Sequence, residues 1–316
     1  ENTGVTIFES KKNENSDSNN DSDSDSDSDS DDSELVNSDD EDNEELEEDS
    51  DTYEESEESE ESEESEEEIT YAYIPEYPTQ SICLEKCDGT FDNLLENNKI
   101  NEENGAAYLM QIIMTLLVLQ KSFSFTHNDL HTNNIMYIET DKEYIYYQYN
   151  KQMYKVPTYG KIFKLIDFGR GIYKFQNHLF CSDSFAPGDD AATQYNFEPY
   201  YNKNKPIIEP NMSFDLCRLG CSIYDFIIDI HEDKSIFDKF QNIIDEWCTD
   251  DYGKNVLYKK NGEERYPDFK LYKMIARTVH NHLPQNQLSN PYFSQFLCTT
   301  NEDPTIDIDS ITPYFY

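Results

Sequence analysis

The chain changes character near residue 68, and that break limits what can fold. Residues 1–68 hold 33 of the 67 Asp and Glu residues and only two bases, Lys11 and Lys12. Asp21 to Ser30 alternates Asp with Ser, and residues 54–68 are mostly Glu-Glu-Ser repeats. So little apolar surface cannot offset the entropy of ordering, and the like charges repel one another. The segment is expected to be disordered. It serves as a solvated acidic spacer, or more specifically as a lure for basic protein partners. A third reading is a substrate for kinases that favour acidic surroundings, since each Ser has an Asp or Glu beside it.

A core must therefore come from the other 248 of the 316 residues, where 34 acids and 22 bases leave −12 of the total −43. This part is rich in Tyr, Phe, Ile and Leu and long enough for one domain. The composition gives a disordered acidic segment at 1–68, a folded domain at 69–300 and a C-terminal tail at 301–316. A net-acidic domain without a basic, aromatic-interleaved stripe argues against nucleic-acid binding by the folded part. The longest apolar stretch, Leu109 to Leu119, is broken by Gln111 and Thr115 and reads as too short for a membrane. Seven Cys (83, 87, 181, 217, 221, 248 and 298) include no Cys-x-x-Cys pair and no zinc spacing. An odd number of thiols and no leader-like start favour a reducing, cytoplasmic setting. The first residue is Glu1, which reads as the start of a fragment.

Along the domain, residues 81–85 read as a short strand and Lys86 to Thr90 as a turn. Thr90 is placed to cap a short helix over Phe91 to Glu96. Ala106, Met110, Ile113 and Leu117 recur at helical spacing within Asn104 to Gln120, which predicts a buried helix. Residues 144–149 and 153–166 read as a Tyr-dense hairpin or two added strands, with Pro157 and Gly160 between them. Lys164-Leu165-Ile166 is a strand running into Asp167. The stretch from Gly171 to about Asn211 is irregular. Helices are expected over 215–230, 235–248, 268–283 and briefly near 291–298.

The chemistry is concentrated in two short runs. His127-Asn128-Asp129-Leu130-His131-Thr132-Asn133-Asn134 is followed, 33 residues after Asn134, by Asp167-Phe168-Gly169. Phosphoryl transfer needs a hard cation beside the phosphates, held by oxygen ligands, and a carboxylate that orients the attacking hydroxyl. An Asp five residues before an Asn, and a second Asp from another loop, supply that set.

The two runs resemble the protein-kinase superfamily, with its His-Arg-Asp-Leu-x-x-x-x-Asn catalytic loop and Asp-Phe-Gly metal loop. The resemblance implies an α+β, protein-kinase-like fold, mostly the helical C-lobe with a small β-hairpin insertion. It further implies ATP and Mg²⁺ as cofactors and a protein substrate. Asp129 would be the base, Asn134 and Asp167 the metal ligands, and His131 a donor to a phosphate oxygen. His127 and Phe168 would pack beneath the loops, and Gly169 would allow the turn beside the phosphates. Ile82 to Cys87 resembles the family's hinge, with Glu85 and Cys87 as backbone contacts to adenine and Leu84 in the gatekeeper position. Asp215-Leu216-Cys217-Arg218-Leu219-Gly220 resembles the start of the C-lobe core helix, where Asp215 would support the catalytic loop. Asn290 to Phe293 resembles the close of many kinase domains. The Asn/Tyr-rich composition with Asp-Ser repeats is similar to kinase-like proteins of giant amoeba-infecting DNA viruses, which places the chain in host cytoplasm or virion.

Three departures shape the expectation. Before residue 80 there is no Gly-rich loop, no Val-Ala-x-Lys strand and no partner Glu, and Gly4 is the only Gly before Gly89. That favours a missing N-lobe over a non-working kinase. His131 stands where Ser/Thr kinases carry Lys, as in aminoglycoside-kinase-type and haspin-like enzymes. Asn128 replaces the Arg that receives an activation-loop phosphate, and Phe197-Glu198-Pro199 and Ile208-Glu209-Pro210 are rival stand-ins for Ala-Pro-Glu. The leading function is an ATP-dependent Ser/Thr protein kinase. The rivals are a small-molecule phosphotransferase and a pseudokinase scaffold displaying the acidic segment.

Overall fold

A computed structural model describes residues 81–230, 238–299 and 304–316 of the protein. The expectation for 1–68 falls outside the described residues, as do 69–80. Residues Leu84–Tyr316 form one unit, mixed in α and β structure and compatible with the α+β class.

The unit is organised around one buried helix. After β1 (Gly89–Thr90) and α1 (Phe91–Glu96), α2 runs over Glu102–Phe123. Asn101 starts α2 by accepting from the backbone N–H groups of Glu103 and Asn104, while the Asn104 side chain accepts from the Asn101 N–H. This reciprocal cap satisfies donors that a helix start leaves open. Ser124 ends the helix in the left-handed region (φ 50°). α2 has the length and apolarity of a membrane span, more than its Leu109–Leu119 stretch suggested, yet Ala106 to Leu117 is packed almost wholly inside the protein.

A three-stranded antiparallel sheet lies beside α2, in the order β1, β2 (Ile135–Glu139), β5 (Lys161–Leu165). The Gln111 side chain bridges the two layers, donating to the Lys161 carbonyl and accepting from the Phe163 N–H. The Tyr-dense insertion is a second sheet. β3 (Tyr144–Tyr149) pairs antiparallel with β4 (Gln152–Pro157), burying Ile145, Tyr147, Tyr154 and Val156. The expected strand over 153–166 is two strands in different sheets. Pro157 has no N–H for the ladder, and Tyr159 and Gly160 take positive φ (46° and 78°), which turns the chain into β5.

A small hairpin, β6 (Tyr173–Phe175) with β7 (His178–Phe180), follows the second motif. Then come α3 (Phe214–Ile230), α4 (Asp238–Trp247), α5 (Lys270–Thr278), α6 (Pro284–Gln287) and α7 (Pro291–Ser294). α2 and α4 approach closely at Gly105, where an added Cβ would lie 2.7 Å from the Phe240 ring. α3 and α4 do so at Gly220, where a Cβ would lie 2.9 Å from Trp247 Cβ. The helix expected near 291–298 gives way after Ser294 to β8 (Leu297–Cys298), which pairs with β4.

Residues read as a C-terminal tail are built into the fold. β9 (Ile306–Asp307) adds to β3 in parallel, Ile308 is buried, and Asp309 accepts from the N–H groups of Asn150 and Lys151 at the β3–β4 turn. The Tyr314 N–H donates to the Ser122 carbonyl, and its ring stacks on Phe123.

The strand expected at 81–85 is absent. Residues 81–87 have no ladder partner among the described residues, and backbone pairing begins only where the Asp88 N–H donates to the Tyr137 carbonyl.

Candidate active site

The segment leaving α2 is fixed before it reaches the first motif. Thr126 and Ile172 exchange backbone hydrogen bonds of 2.9 Å, which joins the run into His127 to the run out of Gly169. The next support comes from α3. The Asp215 carboxylate, fully buried, accepts from the His127 N–H (2.9 Å to Oδ2) and the Asn128 N–H (2.9 Å to Oδ1). Burial pushes this carboxyl up, and His127 and the two N–H donors pull it back. The His127 ring donates from Nε2 to the Ile166 carbonyl, and its buried Nδ1 makes no hydrogen bond among the described residues. Phe168 lies against His127 and Phe125, with ring centres 5.5 and 5.6 Å away, yet is 50% exposed on its other side.

Asn128, standing where the kinase motif it resembles has Arg, is buried with φ 64°, a region Asn tolerates. Its side chain donates to the carbonyls of Thr126 and Arg170 and accepts from the Tyr195 hydroxyl at 2.7 Å. The substitution thus ties the loop to the segments around Arg170 and Tyr195 without any charge.

Leu130 is buried, and Thr132 anchors the following 3₁₀ turn twice: its hydroxyl donates to the Asp92 carboxylate of α1, and its N–H donates to the Ser222 hydroxyl of α3 at 3.2 Å. Asn134 donates from Nδ2 to the Asp129 carbonyl, 2.9 Å, and its Oδ1 makes no hydrogen bond among the described residues. The Ile166 N–H donates to the Asn134 carbonyl at 3.0 Å, extending the β2–β5 ladder and bringing Asn134 beside the Ile166–Asp167 peptide. Asp167 is exposed and takes φ 58°, so the positive-φ residue of the Asp-Phe-Gly run is the Asp. Gly169 serves close approach instead. A Cβ there would sit 3.1 Å from Asp167 Oδ1, the atom to which its N–H donates.

Two hard oxygen donors, on Asn134 and Asp167, thus come from neighbouring strand ends. No group of three or more His, Cys, Asp or Glu side chains arranged to hold a metal occurs among the described residues. The donor set suits Mg²⁺, which takes few protein ligands and completes its shell with water and phosphate.

The Asp129 carboxylate meets residues that the motif does not predict. Tyr272 of α5 donates its hydroxyl to Asp129 Oδ1 at 2.7 Å and accepts from Arg218 Nε at 2.8 Å. Burial pushes the Tyr272 phenol above its ordinary range, so it stays a donor. An open cleft of about 420 Å³ beside them is lined by His131, Arg218, Asp225, Tyr258, Glu264 and Tyr272, among others. Burial and the nearby Arg218 lower the His131 pKa, so this side chain is a neutral hydrogen-bonding group at pH 7 rather than a fixed cation.

The residues read as a hinge make none of these hydrogen bonds among the described residues. Leu84 is 76% exposed, the Glu85 side chain pairs with Lys164 of β5, and Cys87 Sγ lies 3.9 Å from the Glu85 carbonyl. Arg218 carried a legible signal, a charge inside the apolar run of α3. Tyr272, 143 residues from Asp129, carried none.

The chain is 30% identical over 169 residues to "Putative serine/threonine-protein kinase R301" of Acanthamoeba polyphaga mimivirus, covering 47% of this chain and 41% of that protein. That likeness supports a kinase-like relationship. A second stretch of likeness, 27% identical over 176 residues, is to "Uncharacterized protein 098R" of Invertebrate iridescent virus 6, covering 54% of this chain and 26% of that one. The chain therefore spans less than half the length of either relative. No protein-family model matches it.

Proposed function

We propose that this chain carries the catalytic-loop and metal-binding half of an ATP-dependent protein kinase acting on Ser or Thr hydroxyls. The observation that carries the reading is the joining of Asp129, Asn134 and Asp167. The Asn134 side chain bonds the Asp129 carbonyl, and its backbone bonds the residue before Asp167. The mimivirus likeness supports the same class.

In this reading Asp129 orients the acceptor hydroxyl and takes its proton as the new oxygen–phosphorus bond forms. The bond from the γ-phosphorus to the bridging oxygen breaks, and ADP leaves. Asn134 and Asp167 would hold Mg²⁺, which when bound neutralises phosphate charge. Asp215 holds the loop from below, and His131 offers a neutral donor beside the base. The acidic segment is a further candidate region for recruiting basic partners.

The test is transfer of labelled phosphate from ATP by the full-length protein in Mg²⁺ buffer, with protein acceptors and with a small amino-alcohol acceptor. Label on Ser or Thr, reduced about 10²–10⁴-fold in Asp129→Asn and lost in Asp167→Ala, is the expected result. Label on the amino-alcohol alone would move the assignment to a small-molecule phosphotransferase. No transfer at all would overturn both.

A further inference from the structure

The Asp129 carboxylate is gripped on one side only. Its Oδ1 accepts from the Tyr272 hydroxyl at 2.7 Å and lies 4.0 Å from Arg170 Nη1. Its Oδ2 makes no hydrogen bond among the described residues. Behind Tyr272 stands Arg218, whose Nε donates to the phenol oxygen at 2.8 Å and whose guanidinium lies 5.1 Å from the ring centre. The Arg170 guanidinium lies 5.5 Å from the same ring centre. The ring itself is held by Phe269, stacked at 5.2 Å, and by Phe214 at 6.0 Å.

We propose that Tyr272 and Arg218 are positioning residues for phosphoryl transfer: a guanidinium–phenol–carboxylate relay fixes Asp129 by Oδ1 and leaves Oδ2 for the acceptor hydroxyl. This rests on Asp129 being the base. Three observations favour it over a merely structural role. Arg218 reaches Asp129 through the Tyr272 hydroxyl, at the carboxylate oxygen on that side. A phenol that accepts from a guanidinium is polarised and becomes the stronger donor to the carboxylate. The chain joins α3, α5 and the catalytic loop at a single oxygen of the residue whose orientation matters most.

Tyr272→Phe tests this, because it keeps the ring on Phe269 and Phe214 and removes only the hydroxyl. The expected result is a kcat about ten- to a hundredfold lower with the KM for ATP unchanged, and a thermal midpoint lowered by no more than the loss of the hydroxyl's two hydrogen bonds. Arg218→Gln should lower kcat in the same direction and add less than about twofold when Tyr272 is already Phe. In an Asp129→Asn background, Tyr272→Phe should change the residual rate by less than about twofold. If Asp129→Asn lowers the rate but Tyr272→Phe does not, or if Tyr272→Phe costs as much in both backgrounds, the relay is wrong and the base assignment stands. If Asp129→Asn leaves the rate intact, the base assignment fails and the relay with it.

Discussion

Asp215 shows how a residue can matter through what it holds. It is buried, and both its oxygens receive N–H groups from the loop that carries Asp129. An amide in its place would offer one oxygen and turn an NH₂ toward the other donor. Asp215→Asn should therefore lower stability by about 2–4 kcal/mol in urea unfolding, and a loss under about 1 kcal/mol would contradict this account. The support role of Asp215 was legible in the sequence because it sits at the start of an apolar helix, at a spacing shared with a known pattern. The meeting of Asn134 with Asp129 and with the Ile166–Asp167 peptide was legible from motif spacing alone. Tyr272 was not, since a lone Tyr on a later helix has no local pattern that announces a contact across the domain. Nor did the sequence indicate that Asp167, and not Gly169, takes the left-handed backbone.

Among the elements, the strongly periodic helices, the short helix capped by Thr90 and the strand at 144–149 lie where they were expected, and the strand at 81–85 does not. α2 and α3 lie close to their expected spans, since their apolar spacing reports burial directly. The strand expected at 81–85 failed because a strand exists only through its neighbour, which one segment cannot specify. Gly220 illustrates the same dependence on a neighbour. Alanine in a helix is ordinarily favoured over glycine by about 1 kcal/mol, yet a Cβ here meets Trp247 Cβ at 2.9 Å, too close to the main chain of α4 to yield. Gly220→Ala should cost a net 1–2 kcal/mol or so in thermal or urea unfolding, and a stabilised variant would sink the packing argument. The C-terminal strap makes a pH prediction. Burial alone would raise the Asp309 pKa, but the N–H groups of Lys151 and Asn150, the Gln148 amide and Lys121 together lower it. A lowered folded-state pKa means that the contribution is present above the unfolded value near 3.8 and is lost as pH falls through the folded value. Amide exchange in residues 304–316 should accelerate below about pH 4 ahead of α2. Asp309→Asn should show fast exchange in the strap at every pH; equal protection in both proteins would refute the anchor.

Taken whole, the chain carries a formal charge of −43, and both the acidic segment and the folded part are net negative. Self-repulsion of that size weakens any compact state, and salt screens it over about 10 Å at 0.1 M. The thermal midpoint should rise between about 0.01 and 0.2 M KCl at pH 7, and a flat or falling response would show that local ion pairs outweigh the net charge. Sequence order bears on assembly as well. The Tyr146 N–H on β3 finds its partner in the Thr305 hydroxyl, 159 residues later, and β9 then covers the edge of the Tyr-rich sheet. At a synthesis rate of about 5–20 residues per second, that edge stays open on the ribosome for roughly 8–30 s. During that interval β3 offers unpaired backbone and a row of tyrosines to any passing strand, so the nascent protein is most prone to mispairing there.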